Sequence, residues 1–107
     1  MVHYVVGTVQ LSNQEWKLIP KAHGVNDHYK FETISLARKW AYKLVANDKL
    51  PALTVWKVKG EKYELMGTIF DGSKVKNKGF PYRNIMWRTV GEVKLYLAYK
   101  DGSIKKV

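Results

Sequence analysis

The 107-residue chain contains no cysteine. This absence excludes a disulfide scaffold, a thiol nucleophile, an iron–sulfur cluster and a cysteine-based zinc site. The sequence also lacks the run of about 18 apolar residues that a transmembrane helix needs, and it does not begin with the pattern of a signal peptide. Because a chain without cysteine fits a reducing compartment, the sequence predicts a cytoplasmic protein that binds no membrane.

The common catalytic motifs are missing as well. There is no GxSxG nucleophile elbow, no GxxxxGK[ST] phosphate loop, no HExxH zinc motif and no GxGxxG dinucleotide fingerprint. The histidines are not grouped with enough carboxylates to supply the usual ligands of a zinc ion. We therefore predict that the protein is not an enzyme and has no catalytic residue, no metal site and no cofactor.

Acidic residues are scarce. The chain has 9 Asp and Glu against 19 Lys and Arg, which gives a formal net charge of +10 at pH 7. Such an excess indicates an anionic partner, either nucleic acid (DNA or RNA) or an acidic protein. Sixteen of the cations are lysine, a mobile point charge that suits backbone phosphate, whereas bidentate recognition of guanine favours arginine. Any binding of nucleic acid should therefore show little sequence specificity.

One segment concentrates the positive charge. Between Gly72 and Gly91 there are five cations and no acidic residue, and aromatic residues are interspersed among them. Cations among flat rings suit single-stranded nucleic acid, whose phosphates and base faces are both accessible. The predicted contacts in this segment are Lys74, Lys76, Lys78, Phe80, Tyr82, Arg83 and Arg88. The alternative is a solvated lysine-rich loop whose aromatic side chains pack into the core.

The segment 33–47 is predicted to be a helix. Its apolar residues recur at spacings of three and four, which gives one stripe consisting of Leu36, Ala37, Trp40, Ala41, Leu44 and Val45. Thr33 or Ser35 suits the N-cap position. Arg38, Lys39 and Lys43 fall on the opposite face, where they extend the predicted nucleic-acid-binding surface or form an ordinary solvent-exposed face.

The rest of the chain is typical of β-structure. Alternating and β-branched segments predict strands at 3–10, 15–19, 29–32, 53–59, 62–70, 84–90, 93–100 and 103–107. We expect hairpin turns at Gly60-Glu61, Gly91-Glu92 and Asp101-Gly102. Gly7 and Gly67 each interrupt a strand, which typically marks a bulge or the close approach of another backbone.

These patterns predict one small basic α+β domain spanning residues 1–107. One amphipathic helix (about 33–47) is expected to pack on a mostly antiparallel sheet of about six strands. The expected core consists of Trp16, Leu18, Leu36, Trp40, Leu44, Val55, Leu65, Ile69, Leu95 and Leu97.

Two functions fit these features. The first is a non-catalytic nucleic-acid-binding accessory protein of low sequence specificity. The alternative is a protein-interaction module or inhibitor, such as one from a mobile genetic element, that binds an acidic or nucleic-acid-binding partner protein. An exposed patch that joins Phe80 and Tyr82 to the lysines favours the first function, whereas an apolar patch with few cations favours the second. The sequence favours neither DNA nor RNA, neither single nor double strands, and no oligomeric state.

Overall fold

The computed structural model describes residues 2–9, 16–21, 28–47, 50–71, 85–90, 95–98 and 103–106. For residues 95–98, 103, 105 and 106 the description covers the main chain only. Within these ranges one helix packs on an antiparallel sheet, as predicted. The elements are β1 (Val2–Gly7), β2 (Trp16–Lys17), α1 (Ile34–Asn47), β3 (Ala52–Lys59), β4 (Lys62–Asp71), β5 (Ile85–Thr89), β6 (Leu95–Ala98) and β7 (Ser103–Lys106).

Helix α1 begins where the sequence predicts. The hydroxyl of Thr33 accepts a hydrogen bond from the main-chain N–H of Leu36 at 3.3 Å, the geometry of an N-cap. The buried line of the helix runs through Ala37, Ala41 and Val45, all fully buried at a spacing of four residues. The prediction that Leu36 is a core residue is wrong, because 49% of it is exposed. Each residue turns the helix by about 100°, which carries Leu36 away from the line that begins at Ala37.

The sheet follows the order β1-β3-β4-β6-β7-β2, and β5 also pairs with β4. Every pairing between its strands is antiparallel. The predicted hairpin between β3 and β4 is confirmed: Lys59 lies opposite Lys62, and Gly60 adopts a φ of 62°. That left-handed conformation suits glycine, which has no Cβ to oppose it.

The hairpin predicted around Gly91-Glu92 is wrong. β5 and β6 both pair with β4, with Trp87 opposite Ile69 and Tyr96 opposite Tyr63. The two strands therefore run in the same direction along one edge of β4, and β6 continues the line that β5 begins. The physical reason is the length of β4, which at ten residues offers hydrogen-bonding groups to both segments.

The hairpin between β6 and β7 is present, but its register differs from the prediction. Ala98 lies opposite Ile104, whereas a two-residue turn at Asp101-Gly102 would place Tyr99 there. Ile104 is fully buried, and a shift of one residue would move it to the other face of the sheet. Burial of Ile104 therefore decides the register; the predicted turn itself lies outside the described residues.

The sheet has a hydrophobic cluster on each face. Val5 and Val6 are consecutive and belong to different clusters, as the alternation of a strand requires. The helix-side cluster consists of Val6, Ala37, Ala41, Val45, Leu53, Val55 and Ile69. The opposite cluster consists of Val5, Trp16, Leu18, Trp56, Val58 and Ile104. The sheet encloses the opposite cluster by curling back on itself.

The curl is completed at β2, which pairs with β7 on one side and approaches β1 on the other. The main-chain N–H groups of Thr8 and Ile19 donate to the carbonyls of Lys17 and Val6, at 2.7 and 3.0 Å. The predicted strand 29–32 is reduced to an isolated bridge between Phe31 and Tyr4.

Most of the predicted core can now be placed. Trp16, Leu18, Val55 and Ile69 are buried, while Trp40, Leu44 and Leu65 are partly buried and pack against the two clusters. The side chains of Leu95 and Leu97 lie outside the described residues.

Gly7 and Gly67 are places of close approach, which confirms that prediction. A Cβ on Gly7 would lie 3.0 Å from the carbonyl oxygen of Lys17. A Cβ on Gly67 would lie 2.6 Å from the carbonyl oxygen of Arg88 and would meet the ring of Trp87. The strand pairing also shifts beside Gly67, at a bulge between Val55 and Trp56.

Candidate functional site

A cleft opens between helix α1 and strand β5, with a volume of about 350 Å³. It is lined by Arg38, Lys39, Tyr42, Ile69, Ile85, Met86 and Trp87, and we call it the α1–β5 cleft. Its size is near the lower end of the range for ligand pockets, roughly 300–1,000 Å³. The cleft combines an apolar floor with two cations and a phenol, a composition that suits a ligand with both a flat apolar part and a negative charge.

The Arg38 guanidinium lies over the indole ring of Trp87, 4.3 Å from the ring centroid. This separation is well within the range of a cation–π interaction. The indole itself is fixed, because its ring lies against Gly67 of β4 and its N–H donates to the hydroxyl of Thr89 at 3.0 Å. Trp87 therefore acts as a support that holds Arg38 in place.

Arg38 is only partly exposed, and it has no carboxylate partner within the described part of the chain. A guanidinium held on a ring loses less conformational freedom when it binds an anion than a free side chain does. Its neighbour Lys39 is exposed and adds a second positive charge to the cleft. Together these two cations can bind a phosphate or a carboxylate.

Most of the positively charged segment lies between β4 and β5, at residues 72–84, which we call the basic stretch. The residues that flank it, Asp71 and Ile85, are partners in the sheet. Ile85 also lines the cleft, so both residues that flank the basic stretch lie next to the cleft. The predicted contacts that belong to the stretch itself lie outside the described residues: Lys74, Lys76, Lys78, Phe80, Tyr82 and Arg83.

The other predicted cations divide between two faces of the molecule. Arg38 and Lys39 line the cleft, and Lys43 is exposed one helical turn beyond Lys39 without lining it. Arg88 is exposed and follows Trp87 directly, so the alternation of β5 turns it away from the helix side. Arg88 and Arg38 therefore do not form one continuous contact surface.

A second surface feature was not foreseen. Tyr29, Phe31 and Trp40 form an aromatic cluster, with ring centroids 5.1 Å apart for Tyr29–Trp40 and 5.6 Å apart for Phe31–Trp40. The ammonium group of Lys21 lies 5.5 Å from the centre of the Tyr29 ring. Tyr29 is 41% exposed. The sequence assigned Trp40 to the core and gave no signal that it would meet Tyr29.

The sequence also did not predict that helix α1 and strand β5 form a cleft. It placed Arg38 on a solvent-exposed face, and nothing in the pattern indicated that β5 would carry Trp87 beneath it. The only local signal was the spacing of Arg38 and Tyr42, which puts them on one side of the helix.

Other kinds of site find no support among the described ranges. These ranges contain no group of three or more His, Asp or Glu side chains placed to hold a metal ion. Nor do they contain a helix with the length and apolarity needed to cross a membrane.

Comparison of the chain with protein-family models, with curated proteins and with solved structures finds no match.

Proposed function

We propose that this chain is a non-catalytic nucleic-acid-binding accessory protein of low sequence specificity. The observation that supports the proposal is the placement of Arg38. Its guanidinium is held over Trp87 in a cleft that also carries Lys39, and the basic stretch 72–84 is attached at the same place. A fixed cation beside a chain segment rich in lysine suits a ligand with repeated phosphates.

Each cation has a role in this proposal. Lys74, Lys76, Lys78 and Arg83 neutralise phosphates, Phe80 and Tyr82 stack on bases, and Arg38 with Lys39 binds the phosphate nearest the cleft. Lys43 extends the positive surface along the helix. Arg88 lies on the other face of β5, so it contributes to the long-range attraction of a polyanion rather than to the same contact. Most of these charges are lysines, which agrees with weak discrimination among sequences.

We also propose that the chain forms one domain and acts in the cytoplasm, a setting that the absence of cysteine favours.

The test is fluorescence anisotropy with labelled DNA and RNA, single- and double-stranded, at about 50 and 200 mM salt. Each neutralised phosphate releases counterions, so four to six contacts should cost roughly a hundredfold to a thousandfold in affinity over this range. Changing Lys74, Lys76, Lys78 and Arg83 to Ser should remove most of the salt-dependent binding.

A matched control removes the same charge elsewhere. Lys17, Lys30, Lys59 and Lys62 are all exposed and do not line the cleft. Their replacement by Ser lowers the net charge by the same four units and should weaken binding much less. Equal losses in the two variants would show that net charge alone attracts the ligand, and no binding at 50 mM salt would refute the proposal.

A second candidate function is a protein-interaction module or inhibitor that binds an acidic or nucleic-acid-binding partner protein. The aromatic cluster of Tyr29, Phe31 and Trp40 favours it, because Tyr29 is exposed at its surface and aromatic residues are enriched at protein interfaces. Leu36 is also exposed, one helical turn before Trp40. If nucleic acid does not bind at low salt, this surface becomes the first one to alter in a search for a protein partner.

A further inference from the structure

The α1–β5 cleft has two chemically different parts. Its floor is apolar and includes Ile69, Ile85 and the supported ring of Trp87. Arg38 and Lys39 contribute positive charge to the same cleft. A simple phosphate site needs no apolar floor, and a simple apolar pocket needs no cations. The combination fits a flat ring joined to an anion.

The ring best placed to stack on a ligand is that of Tyr42. Tyr42 lines the cleft and is 51% exposed, and it lies one helical turn after Arg38. Trp87 is less available, because Arg38 covers its face and Gly67 lies against its ring. A ligand ring in the cleft would therefore stack on Tyr42 while its anionic group meets Arg38.

We propose that the α1–β5 cleft receives one unpaired base of a single-stranded nucleic acid, with the base against Tyr42 and the adjoining phosphate on Arg38. This inference rests on the proposed function and adds the type of strand. A duplex presents its phosphates but keeps its bases stacked inside, so it cannot fill the apolar part of the cleft. The cleft therefore distinguishes single strands from double strands, whereas the lysines of the basic stretch do not.

The experiment separates base binding from phosphate binding. Anisotropy is measured at about 50 mM salt with a labelled single-stranded oligonucleotide, with an abasic strand of the same length, and with a duplex. The abasic strand keeps every phosphate and lacks every base. The base-carrying strand is expected to bind wild-type protein more tightly than the abasic strand, and the base in the cleft should account for about tenfold of that preference, which corresponds to about 1.4 kcal/mol for one stacked base.

Two pairs of variants locate the effect. Tyr42→Ala should lower the preference for the base-carrying strand about tenfold and leave the part that Phe80 and Tyr82 contribute, while Tyr29→Ala, at a similarly exposed tyrosine outside the cleft, should leave the preference unchanged. Arg38→Ala should weaken binding of all three ligands more than Lys43→Ala, although both remove one positive charge. Far-UV circular dichroism confirms that each variant is folded, which is expected for changes at Tyr42 and Lys43 because both are exposed.

The possible results are distinct. Equal binding of the base-carrying and abasic strands overturns the inference, and with it the stacking of Phe80 and Tyr82, but it leaves a nucleic-acid-binding function that depends on phosphate contacts. Equal effects of Tyr42→Ala and Tyr29→Ala also overturn it, because the base would then bind elsewhere. If none of the three ligands binds, the proposed function fails and the inference fails with it.

Discussion

The substitution Gly67→Ala tests whether the support beneath Arg38 is as close-packed as the structure indicates. A methyl group on Gly67 would meet the ring of Trp87 and would lie 2.6 Å from the carbonyl oxygen of Arg88. The carbonyl belongs to the main chain of β5, which is paired with β4 and cannot move away independently. The added methyl therefore has to push β5 and its tryptophan outward.

The sign of the change in the free energy of unfolding distinguishes close packing at Gly67 from the intrinsic preference of a strand for alanine over glycine. In an unobstructed strand, replacing glycine by alanine should stabilise the protein by about 0.5–1 kcal/mol. Overpacking costs about 1–3 kcal/mol, and we expect the upper part of that range because a main-chain atom is involved. For a domain of this size, the loss corresponds to a decrease in the melting temperature of roughly 10–20 °C.

The assay is urea unfolding followed by far-UV circular dichroism, which avoids the fluorescence of the altered tryptophan site. Gly7→Ala is the comparison, since its methyl group would meet its nearest neighbour at 3.0 Å and should cost less. In a Trp87→Leu background, Gly67→Ala should also cost less than in wild type, by about 0.5 kcal/mol or more. A Gly67→Ala protein as stable as wild type, or more stable, would refute the reasoning.

Two further predictions concern other parts of the molecule. Thr54→Val should destabilise the protein by about 1–3 kcal/mol in urea unfolding, because the buried Thr54 hydroxyl accepts the indole N–H of Trp56 at 2.8 Å. Thr68→Val, at its cross-strand partner, should change the free energy of unfolding by less than about 0.5 kcal/mol. Burial, followed by the positive charge of Lys30, lowers the pKa of His3 from its ordinary value of 6.5, so the unfolded chain binds this proton more readily than the folded protein. The free energy of unfolding should therefore fall as the pH decreases below about 6.5, and it should fall less in His3→Gln; equal losses in both proteins would contradict this assignment.

The features that sequence could predict are local. The N-cap of α1 depends on Thr33 and the residues directly after it, and the β3–β4 hairpin depends on Gly60 within its own turn. Strand glycines also carried information, because Gly7 and Gly67 both lie where another backbone approaches. In each case the residues that produce the structure lie within a few positions of one another, or the residue is a glycine, whose missing Cβ is itself a signal.

The features that sequence could not predict depend on distant partners. The turn chemistry of Gly91-Glu92 suggested a hairpin, but β4 is long enough to pair with the segments on both sides of it. Leu36 matches the helical period, but the position of the sheet decides which line of the helix is buried. The cleft could not be predicted for the same reason, because α1 and β5, which form it, are far apart in the chain.

The support of Arg38 also links stability to binding, and this gives a final prediction. Gly67 lies against Trp87, and Trp87 in turn holds Arg38, so displacing the ring should release the guanidinium. Under conditions in which both variants remain folded, Gly67→Ala should bind single strands about as weakly as Arg38→Ala, while Gly7→Ala should bind like wild type. Each comparison uses anisotropy at about 50 mM salt with the same oligonucleotide. If folded Gly67→Ala binds like wild type, a fixed guanidinium is not needed for binding, and the contribution of Arg38 would reduce to its charge.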